Sequence, residues 1–360
     1  MTSSSSLTSP TVGVVLGVSA PVTSGVEELA KANKKARTKL YFFSTRGVDY
    51  DRKVIRGMWF NDAKKRWEKR TFPFPHVLYV RGGSGKSVQR LIEKFDDMGI
   101  KRINPIVAFN KSDLYYKLSQ DKSVRKYLPY TKNLDLNDIS ELRAILRKRK
   151  TVYIKACRGR RGLQVVRVSR VSPGRYQYSY SILGRLVRRE VRSYTRLQRA
   201  LKSFFGSREV IVQQAIDLLT VNGSCLVDFR AELQRNRNGN LTVVAIPIRV
   251  GKKSSPITTH GTAYRFNDYL SKLLPNCSSK QIRETRNEID HFLRTVYRSV
   301  EKVYGRFGEI GIDFAVDKNR NIWLIECNAQ SAKVSIRRCY SQKTVHRIYR
   351  NPLEYAKTLV

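Results

Sequence analysis

Phe307-Gly-Glu-Ile-Gly-Ile-Asp313-Phe-Ala-Val316 is followed by Asp317-Lys-Asn-Arg-Asn321 and then by Ile322-Trp-Leu-Ile-Glu326-Cys-Asn328. Apolar and polar residues alternate in the first run, which predicts a strand with one buried face. Its apolar face carries Ile310, Ile312, Phe314 and Val316, and its other face carries Glu309, Gly311 and Asp313. The same period of two predicts that Ile322, Leu324, Glu326 and Asn328 share one face of the second strand.

The polar linker with two Asn residues is typical of a hairpin turn. A hairpin symmetric about Asn319 and Arg320 pairs position 317 with 322 and places Asp313 directly opposite Glu326. Facing carboxylates destabilise an antiparallel pair unless a cation neutralises them. Mg²⁺ prefers oxygen ligands, commonly one or two carboxylates together with substrate phosphates. The hairpin therefore predicts a Mg²⁺ site formed by Asp313, Glu326 and Asn328. The alternative is a solvated hairpin whose acids face water.

The charge of the chain is its strongest compositional feature. Its 360 residues include 70 Lys+Arg against 29 Asp+Glu, a net charge of +41 and a pI of about 10.4. Such an excess favours association with polyanions, whether nucleic acid or an anionic surface. Because the basic residues are spread along the chain, they indicate adaptation to an anionic setting more than a dedicated DNA-reading module. No sequence-specific reader motif is recognisable.

The cysteine and histidine spacing and the hydropathy argue against a zinc protein, a membrane-spanning protein and a signal peptide. The five Cys residues have no C-x-x-C spacing and the four His are scattered, so a zinc site is disfavoured and a reducing, cytoplasmic setting is expected. No run reaches the length of a membrane span. The Ser-rich residues 1–10 lack the pattern of a signal peptide and are predicted to be a disordered start.

The N-terminal part of the chain predicts a small α/β domain over residues 11–105, followed by a larger domain over 106–360. Strand, helix and strand patterns at 12–18, 27–39 and 40–44 open the first domain. Gly82-Gly-Ser-Gly-Lys-Ser87 resembles a phosphate-binding P-loop, but Val80 stands where that motif requires Gly. A turn leading into a helix over 84–97 is the favoured interpretation.

A basic strand and a glycine turn follow in the larger domain. Residues 151–155 predict a strand that ends in Lys155, and Gly159 and Gly162 flank a basic turn before the next strand. Glycines allow close backbone approach and Lys and Arg supply charge, so this pattern suits phosphate binding. Further strands are predicted at 209–216, 224–234 and 241–250, and a long helix at 279–304.

The order of these parts resembles the ATP-grasp enzymes, and more closely the YheC/YheD-like family of endospore coat-associated ATP-grasp proteins. The matching segments keep the family's order: Trp67 with 72–75; 77–81; Asn104-Pro105 with 109–111; 127–131; 152–155; 211–214; Asp228-Phe-Arg230; 249–251; 308–314; and 323–328. The resemblance implies an α+β ATP-grasp fold in which ATP lies between two subdomains behind an N-terminal α/β domain, with a lid over about 130–208.

The resemblance also implies roles for single residues. Lys111 and Lys155 correspond to the lysines that contact ATP phosphates, and the 159–162 turn, with Gly159 and Gly162, corresponds to the flexible lid. The remaining implied site residues are Gln213 and Gln214 at adenine and ribose; Asp313, Glu326 and Asn328 at Mg²⁺; and Arg230 and Arg249 at the γ-phosphate and the acyl phosphate.

The acceptor side departs from the family pattern. Ala156 replaces the usual Pro, the 159–162 turn is more basic, and both residues 258–262 and residues 329–333 differ from the usual loops. Two hypotheses remain. The first is an ATP-dependent, ADP-forming ligase for an unknown carboxylate and an unknown nucleophile. The second is a degenerate, strongly basic structural protein bound to an anionic spore layer or nucleic acid.

Overall fold

The computed structural model describes residues 9–159, 164–182, 185–253, 255, 258 and 261–360. They form three β-sheets with flanking helices, which confirms the predicted mixed α/β class. Most of the predicted disordered start, residues 1–8, lies outside the described residues. None of the helices in the described ranges is long and apolar enough to cross a membrane.

The N-terminal sheet has six strands in the order β4-β3-β2-β1-β5-β6. β1 pairs in parallel with β2 and β5, and β5 pairs in parallel with β6. The helices α1 and α2 are the crossovers from β1 to β2 and from β5 to β6, which parallel neighbours require. The elements are β1 (Thr11–Val15), α1 (Ser24–Ala36), β2 (Lys39–Asp49), β3 (Val54–Asn61), β4 (Arg66–Pro73), β5 (Val77–Val80), α2 (Lys86–Asp97) and β6 (Lys101–Arg102).

The middle sheet also has six strands, in the order β11-β10-β9-β8-β12-β7, and its neighbouring strands are antiparallel. One face packs Val152, Ile154 and Val168 against its helices, and the opposite face carries Lys155. The elements of this part are α3 (Lys111–Ser119), α4 (Lys122–Arg125), β7 (Thr131–Leu134), α5 (Ser140–Arg149), β8 (Thr151–Ala156), β9 (Val165–Ser172), β10 (Arg175–Ile182), β11 (Arg185–Val191), α6 (Tyr194–Phe205) and β12 (Val210–Gln214).

The C-terminal sheet has seven strands, centred on β14, β18 and β19. Its apolar face packs Phe229, Ile312 and Phe314 against Phe292 and Val296 of the long helix α8. The elements are β13 (Thr220–Val221), β14 (Cys225–Arg235), β15 (Leu241–Ala245), β16 (Pro247–Val250), β17 (Thr262–Arg265), α7 (Phe266–Leu273), α8 (Ser279–Tyr304), β18 (Glu309–Val316), β19 (Ile322–Asn328), α9 (Val334–Cys339) and α10 (Gln342–Ala356).

The division of the chain near residue 105 remains a proposal. β6 ends at Arg102 and α3 begins at Lys111, which suits a boundary there. However, α10 returns to the N-terminal sheet, where Ile348 and Leu353 join the core that contains Val26 and Leu29 of α1. The C-terminal helix therefore stabilises the N-terminal sheet.

The predicted pairing of Asp313 with Glu326 is confirmed, but the hairpin reaches it through a β-bulge. Near the turn Val316 pairs with Ile322, one residue away from the predicted register. The extra residue Ile325 then shifts the register, so that Asp313 faces Glu326.

The bulge also corrects the predicted faces of β19. Ile322 and Leu324 pack in the core together with Cys327, whereas Glu326 and Asn328 lie on the face of Asp313. The prediction that Ile322, Leu324, Glu326 and Asn328 share one face is therefore wrong. An inserted residue reverses the side to which every later side chain of a strand points.

Candidate functional site

The polar face of the C-terminal sheet is organised by strand register. Arg230, Asp313 and Glu326 form one row across β14, β18 and β19. Glu232, Gly311 and Asn328 form the next row. Side chains of directly paired residues lie on the same face, so the two predicted metal-binding carboxylates are neighbours.

Asp313 is buried and bound to two arginines. Arg230 donates from Nε to Oδ1 and from Nη2 to Oδ2, the latter over 2.7 Å. Nη2 of Arg249 lies 3.3 Å from Oδ2. Burial alone would raise the pKa of Asp313, but the two guanidinium groups outweigh it and hold this pKa below its usual value. Asp313 is therefore a carboxylate.

Arg249 bridges two acids. Its Nε and Nη2 atoms each donate to the Asp228 carboxylate over 2.6 Å, and it also contacts Asp313. The structure thus places both predicted phosphate-binding arginines in ion pairs on the polar face. Whether Arg230 and Arg249 bind phosphate stays a prediction.

Lys111 approaches this face from α3. It is the first residue of the helix, whose N-terminal amides are capped by the Asn110 side chain. Its Nζ atom lies 3.6 Å from Oε1 of Glu326 and donates to the Gly159 carbonyl over 3.2 Å. The lysine therefore joins the acidic row to the predicted phosphate-binding turn.

Lys155 approaches from the middle sheet. Its Nζ atom donates to Oε1 of Gln213 over 2.5 Å, and Nε2 of Gln213 donates to Thr131 over 2.9 Å. The pKa of Lys155 is lowered to about 8, chiefly by burial and also by Lys111, while the nearby Glu326 carboxylate opposes the shift. A bound polyanion would stabilise the protonated form of a lysine in such a site.

Two predicted residues do not join this cluster. The side chain of Gln214 accepts from Nη1 of Arg149 over 2.6 Å and points away from Lys155, because successive residues of a strand face opposite sides. Gly162 lies outside the described residues. Of the predicted pair of turn glycines, Gly159 is described and meets Lys111.

The donor set suits Mg²⁺ held jointly with a nucleotide. Within the described ranges, no group of three or more His, Cys, Asp or Glu is arranged to hold a metal by itself. Asp313, Glu326 and Asn328 supply two carboxylates and one amide, and Mg²⁺ usually takes its other ligands from phosphates and water. The buried Nδ2 atom of Asn328 has no partner among the described residues, so it can donate a hydrogen bond to an oxygen of a bound nucleotide.

The sequence profile of YheC/D-like ATP-grasp proteins matches residues 99–359. The chain belongs to this family. The endospore coat-associated protein YheD of Bacillus subtilis (strain 168) is 24% identical over 350 residues, covering 92% of this chain and 73% of YheD.

Solved structures of similar fold include three synthetases or ligases. D-cycloserine synthetase DcsG has a TM-score of 0.58 at 12% identity, covering 97% of this chain and 99% of that chain. D-alanyl-alanine synthetase A from Vibrio cholerae has a TM-score of 0.51 at 14% identity, covering 96% and 99%. ATP-grasp ligase PsnB, complexed with minimal precursor, Mg and ADP, has a TM-score of 0.51 at 11% identity, covering 96% and 98%. These likenesses confirm the predicted ATP-grasp fold.

This YheC/D-like ATP-grasp protein contains a second polar cluster that the sequence analysis missed. Lys333 is fully buried, and its Nζ atom lies 2.9 Å from Glu232 and 2.7 Å from Glu309. Arg81 and Tyr79 of the N-terminal sheet each donate to Oε1 of Glu309 over 2.8 Å. Burial raises the pKa of Glu232, whereas Lys333 and Arg81 outweigh burial and hold the pKa of Glu309 below its usual value.

Only part of that cluster had a signal in the sequence. Glu232 follows Arg230 by two residues in a buried strand, and Glu309 precedes Asp313 by four, so both belong to the same polar face. Lys333 follows β19 in a loop, and no periodicity indicates its partners.

Asn104, in the Asn-Pro motif of this ATP-grasp family member, ties the N-terminal sheet to the site hairpin. Its Oδ1 atom accepts from the backbone N–H groups of Gly308 and Glu309 over 3.0 and 3.1 Å. Its Nδ2 atom donates to the carbonyls of Glu309 and Ala329 over 3.0 and 2.6 Å. The motif thus positions the start of β18 and the end of β19.

The glycine run at 82–85 is explained by packing. A Cβ atom on Gly82 would lie 2.1 Å from the Leu16 carbonyl oxygen, so only glycine lets these loops meet. Gly85 precedes α2, which begins at Lys86. This agrees with the favoured interpretation of a turn into a helix.

Proposed function

We propose that the protein binds Mg-ATP between the middle and C-terminal sheets and uses it to activate a carboxylate as an acyl phosphate. The observation that carries this proposal is the meeting of Lys111, Lys155, Glu326 and Asp313 from separate elements. Two lysines from different elements that converge on a pair of facing carboxylates, one of them with a lowered pKa, are typical of a functional site.

Each predicted residue has a role in this proposal. Lys111 and Lys155 bind the phosphates, the turn from Gly159 to Gly162 covers them, and the strand with Gln213 and Gln214 holds adenine and ribose. Asp313, Glu326 and Asn328 hold Mg²⁺, which when bound neutralises charge on the phosphate oxygens.

The proposed reaction has two steps. A carboxylate oxygen of the substrate attacks the γ-phosphorus, the bond from that phosphorus to the β,γ-bridging oxygen breaks, and ADP leaves. An amine or similar nucleophile then attacks the acyl carbon, phosphate departs, and the nucleophile loses a proton. In this proposal Arg230 and Arg249 exchange their contacts with Asp313 and Asp228 for the transferring phosphoryl group and stabilise its charge.

The reaction needs no nucleophilic side chain of the protein, because it depends on positioning and electrostatics. The structural relatives named above include D-alanyl-alanine synthetase A and a ligase complexed with minimal precursor, Mg and ADP, which makes a small acid or a larger molecule that bears a carboxylate a reasonable substrate. By its relationship to YheD, we place the protein in association with the spore.

Titration calorimetry with ATP and Mg²⁺ tests the proposal. Saturable, Mg²⁺-dependent binding is expected for the wild type and should be lost in Glu326→Ala. Glu284→Ala is a matched control, because it removes the same charge from an exposed position of α8. Binding that is absent, or equal in Glu326→Ala and Glu284→Ala, would contradict the proposal.

A second candidate function is a non-catalytic, basic structural protein held on an anionic spore layer or nucleic acid. The net charge of +41 favours it. Release of ADP during incubation with Mg-ATP and a panel of acids and amines separates the two. The structural role predicts no acid-dependent ADP release.

A further inference from the structure

The middle sheet carries an unusually arginine-rich arm. Residues 151–208 contain thirteen Arg, two Lys and a single acidic residue, Glu190, whereas Lys and Arg are nearly equal in number elsewhere in the chain. Glu190 is itself bound by Arg175, with Oε1 and Nη2 2.6 Å apart. Among the described residues of the arm this is the only salt bridge, so the other charges are not balanced within it.

Strand register brings some of these arginines to the face that carries Lys155. Tyr153 pairs with Arg167, Arg167 with Ser179, and Ser179 with Arg188. These residues form one row across β8, β9, β10 and β11. The alternate residues, such as Val166 and Val168, pack in the core on the other face. Arg167 and Arg188 therefore extend the positive face that begins at Lys155.

The strand β11 of the arm forms one edge of the middle sheet. β11 pairs with β10 on one side, and in the described part of the sheet no strand pairs with its other side. Arg185, Arg188 and Arg189 are exposed on it, and Arg192 and Arg196 are exposed at the start of α6. Closely spaced like charges repel one another, so an anionic partner would stabilise this surface.

The preference for arginine indicates the chemistry of that partner. The guanidinium fork matches planar or tetrahedral oxyanions through paired hydrogen bonds, which the lysine ammonium cannot do. Arg167 and Arg188 are two strands apart, about 10 Å. This matches roughly one turn of an extended polyproline II chain, in which every third side chain points to the same side. A row of carboxylates on an extended chain fits this spacing.

We propose that the substrate is an acidic polypeptide, docked by its Asp and Glu side chains on Arg167, Arg188 and the neighbouring arginines of the arm. This inference rests on the proposed function, because a carboxylate ligase needs a carboxylate to activate. An acidic polypeptide supplies that group together with the flanking anions. Nucleic acid supplies phosphates but no carboxylate.

Fluorescence anisotropy with a labelled oligo-glutamate peptide, at about 0.15 M salt to screen weak attraction, tests the docking surface. The double variant Arg167→Gln/Arg188→Gln is expected to bind the peptide roughly tenfold more weakly than the wild type, since it loses two charge-assisted contacts. The control Arg283→Gln/Arg298→Gln removes the same charge from exposed positions of α8 and should bind nearly as the wild type does.

Two outcomes would overturn the proposal. One is equal weakening in the arm variant and the α8 control, which would show attraction to overall charge alone. The other is equal or tighter binding of a charge-matched oligonucleotide that depends on the same two arginines, which would assign the surface to nucleic acid.

Mg-ATP titration of the same variants separates this proposal from the proposed function. Unchanged Mg-ATP binding with weakened peptide binding supports the docking surface, and peptide-stimulated ADP release supports the substrate role. If Mg-ATP binds none of the proteins, the proposed ligase function fails, while the peptide comparison still decides whether the arm is a docking surface.

Discussion

Arg230 and Asp313 lie directly opposite each other on β14 and β18, and the guanidinium binds both carboxylate oxygens. The same carboxylate is a proposed Mg²⁺ ligand. Under this proposal Arg230 and a metal would compete for Asp313, and a bound triphosphate would relieve the competition by giving the arginine another anion. Metal and nucleotide are expected to bind cooperatively for this reason.

Arg230→Met should consequently strengthen the binding of metal alone and weaken the binding of Mg-ATP. Mn²⁺ binding, measured by electron paramagnetic resonance without nucleotide, is expected to tighten because Asp313 loses its strongest competitor. Mg-ATP affinity is expected to fall about tenfold, since a charge-assisted contact to phosphate is lost. Arg237→Met, at an exposed turn, is the control. Unchanged Mn²⁺ binding would show that Asp313 is not a metal ligand.

The pKa of Lys155 predicts how ATP affinity depends on pH. Burial lowers this pKa to about 8, and the phosphates of bound ATP would raise it. Above pH 8, binding must therefore take up a proton, so the affinity should fall as pH rises, approaching tenfold per pH unit for one proton. Below pH 8 Lys155 is already protonated, so its titration should not change the affinity for ATP.

Calorimetry from pH 7 to 9.5 measures this dependence, and Lys155→Arg is the matched control. The guanidinium of arginine does not titrate in that range. The variant should therefore show a much smaller pH dependence, even if its affinity is lower. A wild-type profile parallel to that of Lys155→Arg would mean that Lys155 is not the titrating group.

The buried contact between Lys333 and the carboxylates of Glu232 and Glu309 should dominate the stability of the junction between the N-terminal and C-terminal sheets. Lys333→Met leaves these acids without their shared cation, and breaking a buried ion pair costs about 3–5 kcal/mol. Lys343→Met, at an exposed position of α10, should change the free energy of unfolding by no more than about 0.5 kcal/mol.

Urea denaturation measures both variants, and Lys333→Met/Glu232→Gln adds a second comparison. Without Lys333, Glu309 keeps Arg81, whereas Glu232 keeps only the uncharged donors Ser331 and Gln234. Removing the charge of Glu232 should therefore restore part of the lost stability. A double variant less stable than Lys333→Met would show that the hydrogen bonds of Glu232 with Ser331 and Gln234 outweigh the cost of its unbalanced charge.

Alternation within a single strand was sufficient to predict the polar face of β18. The pairing of Asp313 with Glu326 was predicted from a symmetric turn, and it holds because the bulge offsets a turn register that differs by one residue. Alternation could not predict the bulge, because Ile325 resembles its apolar neighbours and nothing local marks it as the extra residue. The ion pairs of Arg230 and Lys333 were also beyond local patterns. They depend on how β14 and the loop after β19 meet residues about a hundred positions away in the chain.

The resemblance to a family led to the prediction that Lys111 and Lys155 bind phosphates, and the structure brings Lys111 within 3.6 Å of Glu326. It also placed Gln213 and Gln214 together at the nucleotide, although their side chains lie on opposite faces of β12. Gln213 binds Lys155, while Gln214 binds Arg149. Strand alternation alone would have separated these two residues.

Tyr115 holds the bulge that orients Glu326. Its hydroxyl lies 2.8 Å from the carbonyl oxygens of both Leu324 and Ile325, so α3 fixes the residue that shifts the register. Tyr115→Phe removes this donor from a buried site, which should lower the free energy of unfolding by about 1–3 kcal/mol. Because Glu326 follows the bulge directly, Mg-ATP affinity should fall as well.

The neighbouring Tyr116→Phe is a close control. Tyr116 is 69% exposed and points away from the face of α3 on which Tyr115 contacts the bulge. Denaturation and Mg-ATP titration of the two variants separate a local from a general effect. Loss of stability with unchanged Mg-ATP affinity in Tyr115→Phe would show that the bulge supports the fold without positioning Glu326. Loss of both stability and Mg-ATP affinity in Tyr115→Phe, with neither changed in Tyr116→Phe, would show that the Tyr115 hydroxyl positions Glu326 for binding.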